Sequence, residues 1–401
     1  MRKERNEKLT QVGPGTPMGN LLRRYWQVVG VVAEFDEEPV RKIRILGEDL
    51  TLFRSKSGEI GLIGDRCTHR CMAMEYGIPD EKGLRCPYHG WLFGTDGSCL
   101  EQPFEDRVNP NSHSKKAAVI KSYPVEELSG LIFAYLGPQP APLLPRWDVL
   151  VQDNLDAVVQ IHDIPCNWLQ CMDNALDPVH FEFLHGALGN YVLEKQGKKP
   201  KMVPAPHAAI AFDIFEYGIV KRRLLKGEAE TSDDWTTGHP MLFPNILAVG
   251  AEGSPTLQFR VPVDDFNTLQ FAYRTKTREP GTRRAPMVVD RAELFNDDGK
   301  ITPDIIPRQD IAGWVGQGPI TDRTQEHLGQ SDKGIMLYRK MLEEALSAIE
   351  QGGDPKGVIR DKKKNEPFIS LNREGNRLES FEIQYEDVFD VVQDQANQAA
   401  E

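Results

Sequence analysis

The chain is short of positive charge, of cysteine and of long apolar runs, and each shortage excludes something. Forty-eight Lys and Arg stand against sixty Asp and Glu, a net charge of −12 over 401 residues. That balance argues against nucleic acid or an anionic membrane as a partner. No apolar stretch approaches the roughly 20 residues of a membrane span, and Met1-Arg2-Lys3-Glu4-Arg5 has no apolar signal core. A cytoplasmic protein is the expectation. Six cysteines in so long a chain are not a disulfide framework. No glycine-rich nucleotide fingerprint follows a strand, and no plant-type ferredoxin cysteine spacing occurs. Any nicotinamide or flavin therefore belongs to a partner.

The length suits two domains. Arg41 to Ile45 alternates polar and apolar residues, Gly47-Glu48-Asp49 turns the chain, and Leu50–Phe53 and Ile60–Ile63 continue as short strands. Leu131 to Leu136 reads as a last strand before the proline-rich boundary Gly137-Pro138-Gln139-Pro140-Ala141-Pro142. The organisation predicted is α+β: a helical segment over 1–38 packing on the larger domain, a small all-β domain over 39–145, and a larger domain over 146–401. In that larger domain an antiparallel sheet, with strands in Ala209–Leu225, Leu257–Val263 and Leu269–Arg274, carries helices. Tyr338, Met341, Leu342, Ala345, Leu346 and Ile349 form the apolar stripe of one of them.

Two constellations carry chemistry. In the first, Cys67-Thr68-His69 is followed, after sixteen residues, by Cys86-Pro87-Tyr88-His89-Gly90-Trp91. Each loop offers one thiolate and one imidazole, the ligation of a Rieske [2Fe-2S] centre. A zinc knuckle uses the same ligand types, but zinc sites pair like with like, as in Cys-x2-Cys, and here each loop mixes them. The other four cysteines, Cys71, Cys99, Cys166 and Cys171, read as small buried hydrophobes.

The second constellation runs from Asn167 to His185. Leu169, Met172, Leu176 and Val179 recur at helical spacing, and Asp177 before Pro178 is suited to cap a new turn. His180 and His185 lie five apart, off one face of an ideal α-helix, so a kink is expected to bring them together. Two imidazoles near a carboxylate suit iron, zinc, copper or nickel. A pair of core histidines beside a capping aspartate is the alternative.

With both sites in view, the chain resembles the Rieske non-haem iron oxygenases over most of its length. Cys67, His69, Cys86 and His89 fit that family's cluster motif, and Asp177, His180 and His185 fit its Asp-x2-His-x4-His iron motif. Val12 to Gly19 with Leu22-Arg23-Arg24-Tyr25-Trp26 resembles the start of the phthalate 4,5-dioxygenase-like subgroup. So does Gly318-Pro319-Ile320-Thr321-Asp322-Arg323, continued by Glu326-His327-Leu328-Gly329 and Ser331-Asp332.

The resemblance implies a [2Fe-2S] cluster, a mononuclear Fe(II), dioxygen as co-substrate, and a separate reductase carrying NAD(P)H and flavin. It implies a third iron ligand downstream, for which Asp310 is the choice and Asp304 and Asp322 the competitors. It gives Asp177 the role of an inter-subunit electron-transfer bridge in a trimer or a pair of stacked trimers, and Asn174 a place facing the iron. The implied reaction is hydroxylation of an aromatic, carboxylated substrate, by ring dihydroxylation or O-demethylation. Arginine recognises carboxylates bidentately, so Arg222 and Arg223 are the candidates. They alternate across a strand, so at most one faces a pocket, and a surface basic cluster is the competing reading. His207 and His239 are read as packing or turn histidines. Two other classes stay open: a Rieske-type electron carrier without oxygenase activity, and a zinc-stapled binding module.

Overall fold

The computed structural model describes residues 1–200, 205–250, 254–283, 285–291 and 293–371, and the backbone of 379–384. The small domain is all β. Val40–Ile45, Glu48–Arg54, Ile60–Gly64 and Ser122–Tyr123 form one antiparallel sheet, and Ile78–Asp80, Gly83–Arg85, Leu92–Phe93 and Cys99–Glu101 form a second. A third sheet joins Trp26–Val31 to Leu131–Tyr135 and Val125–Leu128. The helical reading of 1–38 is therefore corrected over residues 26–31, with a 3-10 turn following at Val32–Asp36. Lys3–Thr10 and Pro17–Leu22 are helices, but Trp26–Val31 is a strand. Its six residues are buried on both faces, which erases the alternation that marks a half-buried strand. The first helix does pack on the larger domain, where Asn6 donates to the Thr321 carbonyl at 3.0 Å and Asn167 to the Thr10 carbonyl at 2.9 Å.

The larger domain is built on a nine-stranded sheet. From one edge its strands are Val288–Arg291, Leu155–Ile164, Thr268–Thr277, Thr256–Pro262, Ile246–Val249, His239–Leu242, Gly218–Leu225, His207–Phe215 and Glu379–Gln384. All pairs are antiparallel except the first. The polar, proline-containing stretch 277–307 thus supplies an edge strand. Helices Trp168–Ala175, Ile306–Val315 and Lys333–Glu350 cover the sheet. Among the described residues no helix is long and apolar enough to cross a membrane.

Polar side chains inside this packing fix the helices that matter for the site. Gln170 donates to the carbonyls of Trp314 and Gly318 and accepts from the Thr321 amide. Asp173 accepts from Arg323 at 2.9 Å and Arg339 at 2.7 Å, and Arg339 also reaches Glu326. Arg323 is fully buried and Arg339 nearly so. A buried charge is tolerated only when paired. This network therefore ties the Gly318–Asp332 segment, and with it the end of the Ile306–Val315 helix, to the Trp168–Ala175 helix.

Candidate metal centres

The two thiolate–imidazole loops are built alike. Cys67 N–H donates to the Met72 carbonyl, five residues on, and Cys86 N–H to the Trp91 carbonyl. Each cysteine's own carbonyl accepts from the amide four residues later, Cys71 and Gly90. Those amides belong to the residues that turn each loop in the left-handed region, at φ of 57° and 76°. Glycine enters that region without strain; Cys71 does so at a cost. Cys71 is exposed, which corrects its reading as a buried hydrophobe, whereas Cys99, Cys166 and Cys171 are buried.

Cys67 and Cys86 lie buried together, and burial with the neighbouring Cys86 pushes the Cys67 thiol up to about 11. A bound cation would reverse that. His69 and His89 are exposed, their ring centroids 4.4 Å apart, and Trp91 stacks on His69 at 4.4 Å. Buried sulfurs on one side and exposed imidazoles on the other fit a cluster with one iron on each.

The second site answers the five-residue spacing without a kink. Phe181–Leu188 is a π-helix, whose wider turn brings residues five apart onto one face. Asp177 caps the turn leading into it, its Oδ1 accepting from the amides of Val179 at 2.8 Å and His180 at 3.3 Å. His180 and His185 then face each other with centroids 5.0 Å apart. Asp310 comes from the second turn of the Ile306–Val315 helix, so it is not that helix's cap. Its Oδ1 lies 3.5 Å from His180 Nε2 and 3.3 Å from His185 Nε2, and has no hydrogen-bond donor among the described residues.

Both imidazoles have their Nδ1 occupied. His180 Nδ1 donates to the Asp177 carbonyl at 2.7 Å, and His185 Nδ1 to Gln309 Oε1 at 2.8 Å. Gln309 Nε2 donates to the Pro303 carbonyl, which orients the amide, and Gly189 packs so closely that a Cβ there would stand 2.7 Å from that nitrogen. The two Nε2 lone pairs and one carboxylate oxygen therefore converge. Metal bonds of about 2.1 Å would separate such donors by roughly 3.0–3.4 Å, so the spacing fits a cation. Burial raises the Asp310 carboxyl, but the adjacent imidazoles of His180 and His185 outweigh it and hold it well below the usual carboxylate range. Two imidazoles and one carboxylate with open positions suit non-haem Fe(II). Gln309→Leu is expected to lower metal affinity about 10- to 100-fold, the usual effect of removing an outer partner of a ligand. Metal titration of the mutant checks this.

The other residues singled out fall as follows. Asp304 pairs with Arg308, and the Asp322 carboxylate caps its own turn at Thr324. Asn174 is half-buried, with no side-chain hydrogen bond among the described residues. Arg222 is buried against Asp213 and the carbonyls of Trp235 and Thr236. Its Nε and Nη1 are engaged on the sheet face away from Lys221 and Arg223, which corrects its assignment to substrate. Nor does Arg222 belong to a surface basic cluster, since it and the adjacent Lys221 are both buried.

Arg223 lies 4.1 Å over the Phe181 ring, itself packed on His185, and its Nε donates to Asp234 at 2.6 Å. It lines a cavity of about 1090 Å³ with Asp234, His239, Thr236, Val249 and Leu155. His239 also reaches Asp234, at 3.1 Å. His207 donates to Glu182 at 2.6 Å, stapling the π-helix to the sheet. Sequence reading missed Lys221, Gln309 and Glu182. Only Gln309, one residue from Asp310, lay where a signal could have been sought.

The Rieske [2Fe-2S] domain family model matches residues 25–124, and the LigXa C-terminal domain-like model matches 285–374. The 5,5'-dehydrodivanillate O-demethylase oxygenase subunit of Sphingobium sp. (strain NBRC 103272 / SYK-6) is 40% identical over 377 residues, 92% of this chain and 87% of that one. Phenoxybenzoate dioxygenase subunit alpha of Ectopseudomonas oleovorans is 34% identical, over 88% and 87% of the two chains. Among solved structures, Pseudomonas putida CBB5 NdmA superposes with a TM-score of 0.63 at 21% identity, covering 84% of this chain and 96% of that one.

Proposed function

The chain belongs to the Rieske non-haem iron oxygenases as an oxygenase component, and on that premise we propose that it O-demethylates a methoxylated aromatic carboxylate. The convergence of His180 Nε2, His185 Nε2 and Asp310 Oδ1 carries the oxygenase half of this reading. An electron carrier has no use for it, and a zinc-stapled module no use for two centres. The demethylase half is supported by the 40% identical relative, whose name states that activity.

His180, His185 and Asp310 would hold a mononuclear iron, and Cys67, His69, Cys86 and His89 a [2Fe-2S] cluster. Together these groups supply dioxygen activation, with electrons from a reductase that carries NAD(P)H and flavin. Hydroxylation of a methoxyl carbon yields a hemiacetal, which loses formaldehyde and leaves a phenol. The chain's own residues bind and orient the substrate. Among the described residues Arg223 spends only Nε, on Asp234, which leaves its other N–H groups for a carboxylate beside Phe181. Asn174, three residues before Asp177, is proposed to face the iron.

Asp177 is proposed to bridge the two centres across subunits. Its side chain is 27% exposed, and His69 and His89 are exposed as well. No hydrogen bond, ion pair or ring contact joins the cluster loops to the iron triad among the described residues. A head-to-tail contact closing into a ring, as a trimer or stacked trimers, brings one chain's cluster to its neighbour's iron.

The test is a panel of methoxylated and carboxylated aromatics, scored for substrate-dependent oxygen uptake and formaldehyde. Oxygen uptake with a cis-diol and no formaldehyde would replace demethylation by ring dihydroxylation. Arg223→Met should raise KM for a carboxylated substrate about 10- to 100-fold with a smaller change in kcat. A charge-assisted hydrogen bond is worth about 1.5–3 kcal/mol. An unchanged KM would place the carboxylate elsewhere.

A further inference from the structure

The Asp177 carbonyl oxygen has two donors. One is His180 Nδ1 at 2.7 Å, and the other is Lys221 Nζ at 3.3 Å. Lys221 stands on the sheet strand Gly218–Leu225, two residues before Arg223 and therefore on the same face. It is only 5% exposed, and the Asp177 carbonyl is the one hydrogen-bond acceptor of its Nζ among the described residues. Burial works against its charge, as do Arg223 and Arg260, while Asp177 and Asp310 favour it. Desolvating an ammonium costs several kcal/mol, and a methionine would fill the same space without that cost. Packing alone does not account for a lysine here.

We infer that Lys221 tunes the candidate iron centre through His180: it competes with His180 Nδ1 for the Asp177 carbonyl and sets a positive charge against the metal site. The inference rests on the assignment of His180, His185 and Asp310 as ligands. Two effects follow, and they share a sign. A carbonyl shared with an ammonium draws less on the His180 Nδ1–H, so Nε2 is a weaker donor. The ammonium itself repels added positive charge. Lys221 thus lowers the affinity of the site for a dication and favours the lower oxidation state of the metal held there.

The experiment titrates Zn(II), in competition with a chromophoric chelator, into full-length protein that keeps its cluster but has an emptied mononuclear site. Lys221→Met should bind Zn(II) about tenfold more tightly than the wild type, the low end of outer-partner effects. Lys221→Arg, which keeps the charge, should stay within about threefold. A structural role has the opposite sign, since loosening His180 weakens binding. Unchanged or weaker binding in Lys221→Met overturns the inference, as does equal tightening in Lys221→Arg. Circular dichroism and a thermal melt report folding of the larger domain, and should Lys221→Met not fold, Lys221→Gln removes the charge in its place. His180→Ala separates the premise: if it still binds Zn(II) stoichiometrically, the ligand assignment fails, whatever Lys221 does.

Discussion

Asp310→Ala should release the mononuclear metal and abolish turnover while leaving the visible absorption of the cluster unchanged. The carboxylate's Oδ1 is the point on which both imidazole Nε2 atoms converge, at 3.3 and 3.5 Å. Removing it leaves two neutral nitrogens and no anionic ligand. Loss of an outer partner costs about 10- to 100-fold in metal affinity, so loss of a ligand should exceed about 100-fold. The fold should survive, because the network that anchors this helix uses Gln170 and Asp173 rather than Asp310. Metal analysis beside the absorption spectrum reads both centres in one sample. A full complement of iron in Asp310→Ala would remove it from the ligand set. Asp322→Ala should change neither reading, since among the described residues the Asp322 carboxylate bonds only its own turn at Thr324.

Asp177→Asn has the second large effect. Asp177 has three separable parts. Its Oδ1 caps the turn that carries His180, its carbonyl oxygen orients the His180 ring, and its carboxylate Oδ2 lies 3.7 Å from His180 Nδ1. Asparagine caps helices about as well as aspartate, and the main-chain carbonyl is untouched. The substitution therefore removes the charge and turns one acceptor into a donor facing an imidazole N–H. The mutant should assemble, keep its cluster and most of its iron, and accept electrons from a reductase. Steady-state turnover should nonetheless fall about 100-fold, the upper range for outer partners. Turnover near the wild-type rate with all other readings intact would reduce Asp177 to a cap.

What the sequence by itself determined is local. The pairs Cys67 and His69, Cys86 and His89, and His180 and His185 each lie within one loop or turn, so their spacing already restricts which side chains can meet. The alternating and helical patterns of the larger domain were legible for the same reason, because periodicity follows from which face is buried. The strand Trp26–Val31 was not legible, because burial on both faces removes the pattern. Tertiary structure decided everything that joins distant segments. It chose Asp310 over Asp304 and Asp322 to stand against His180 and His185, because the Asp173–Arg323–Arg339 network draws that helix onto the one preceding the histidines. It turned the five-residue spacing into a π-helix rather than a kink, stapled by Glu182 to His207. It also divided Lys221-Arg222-Arg223: strand alternation sends Arg222 to one face, where Asp213 takes it, and brings Lys221 and Arg223 to the other, toward Asp177 and Phe181. Alternation can be read from sequence, but the face that meets the metal depends on which helix packs there, and that is set by contacts more than a hundred residues apart.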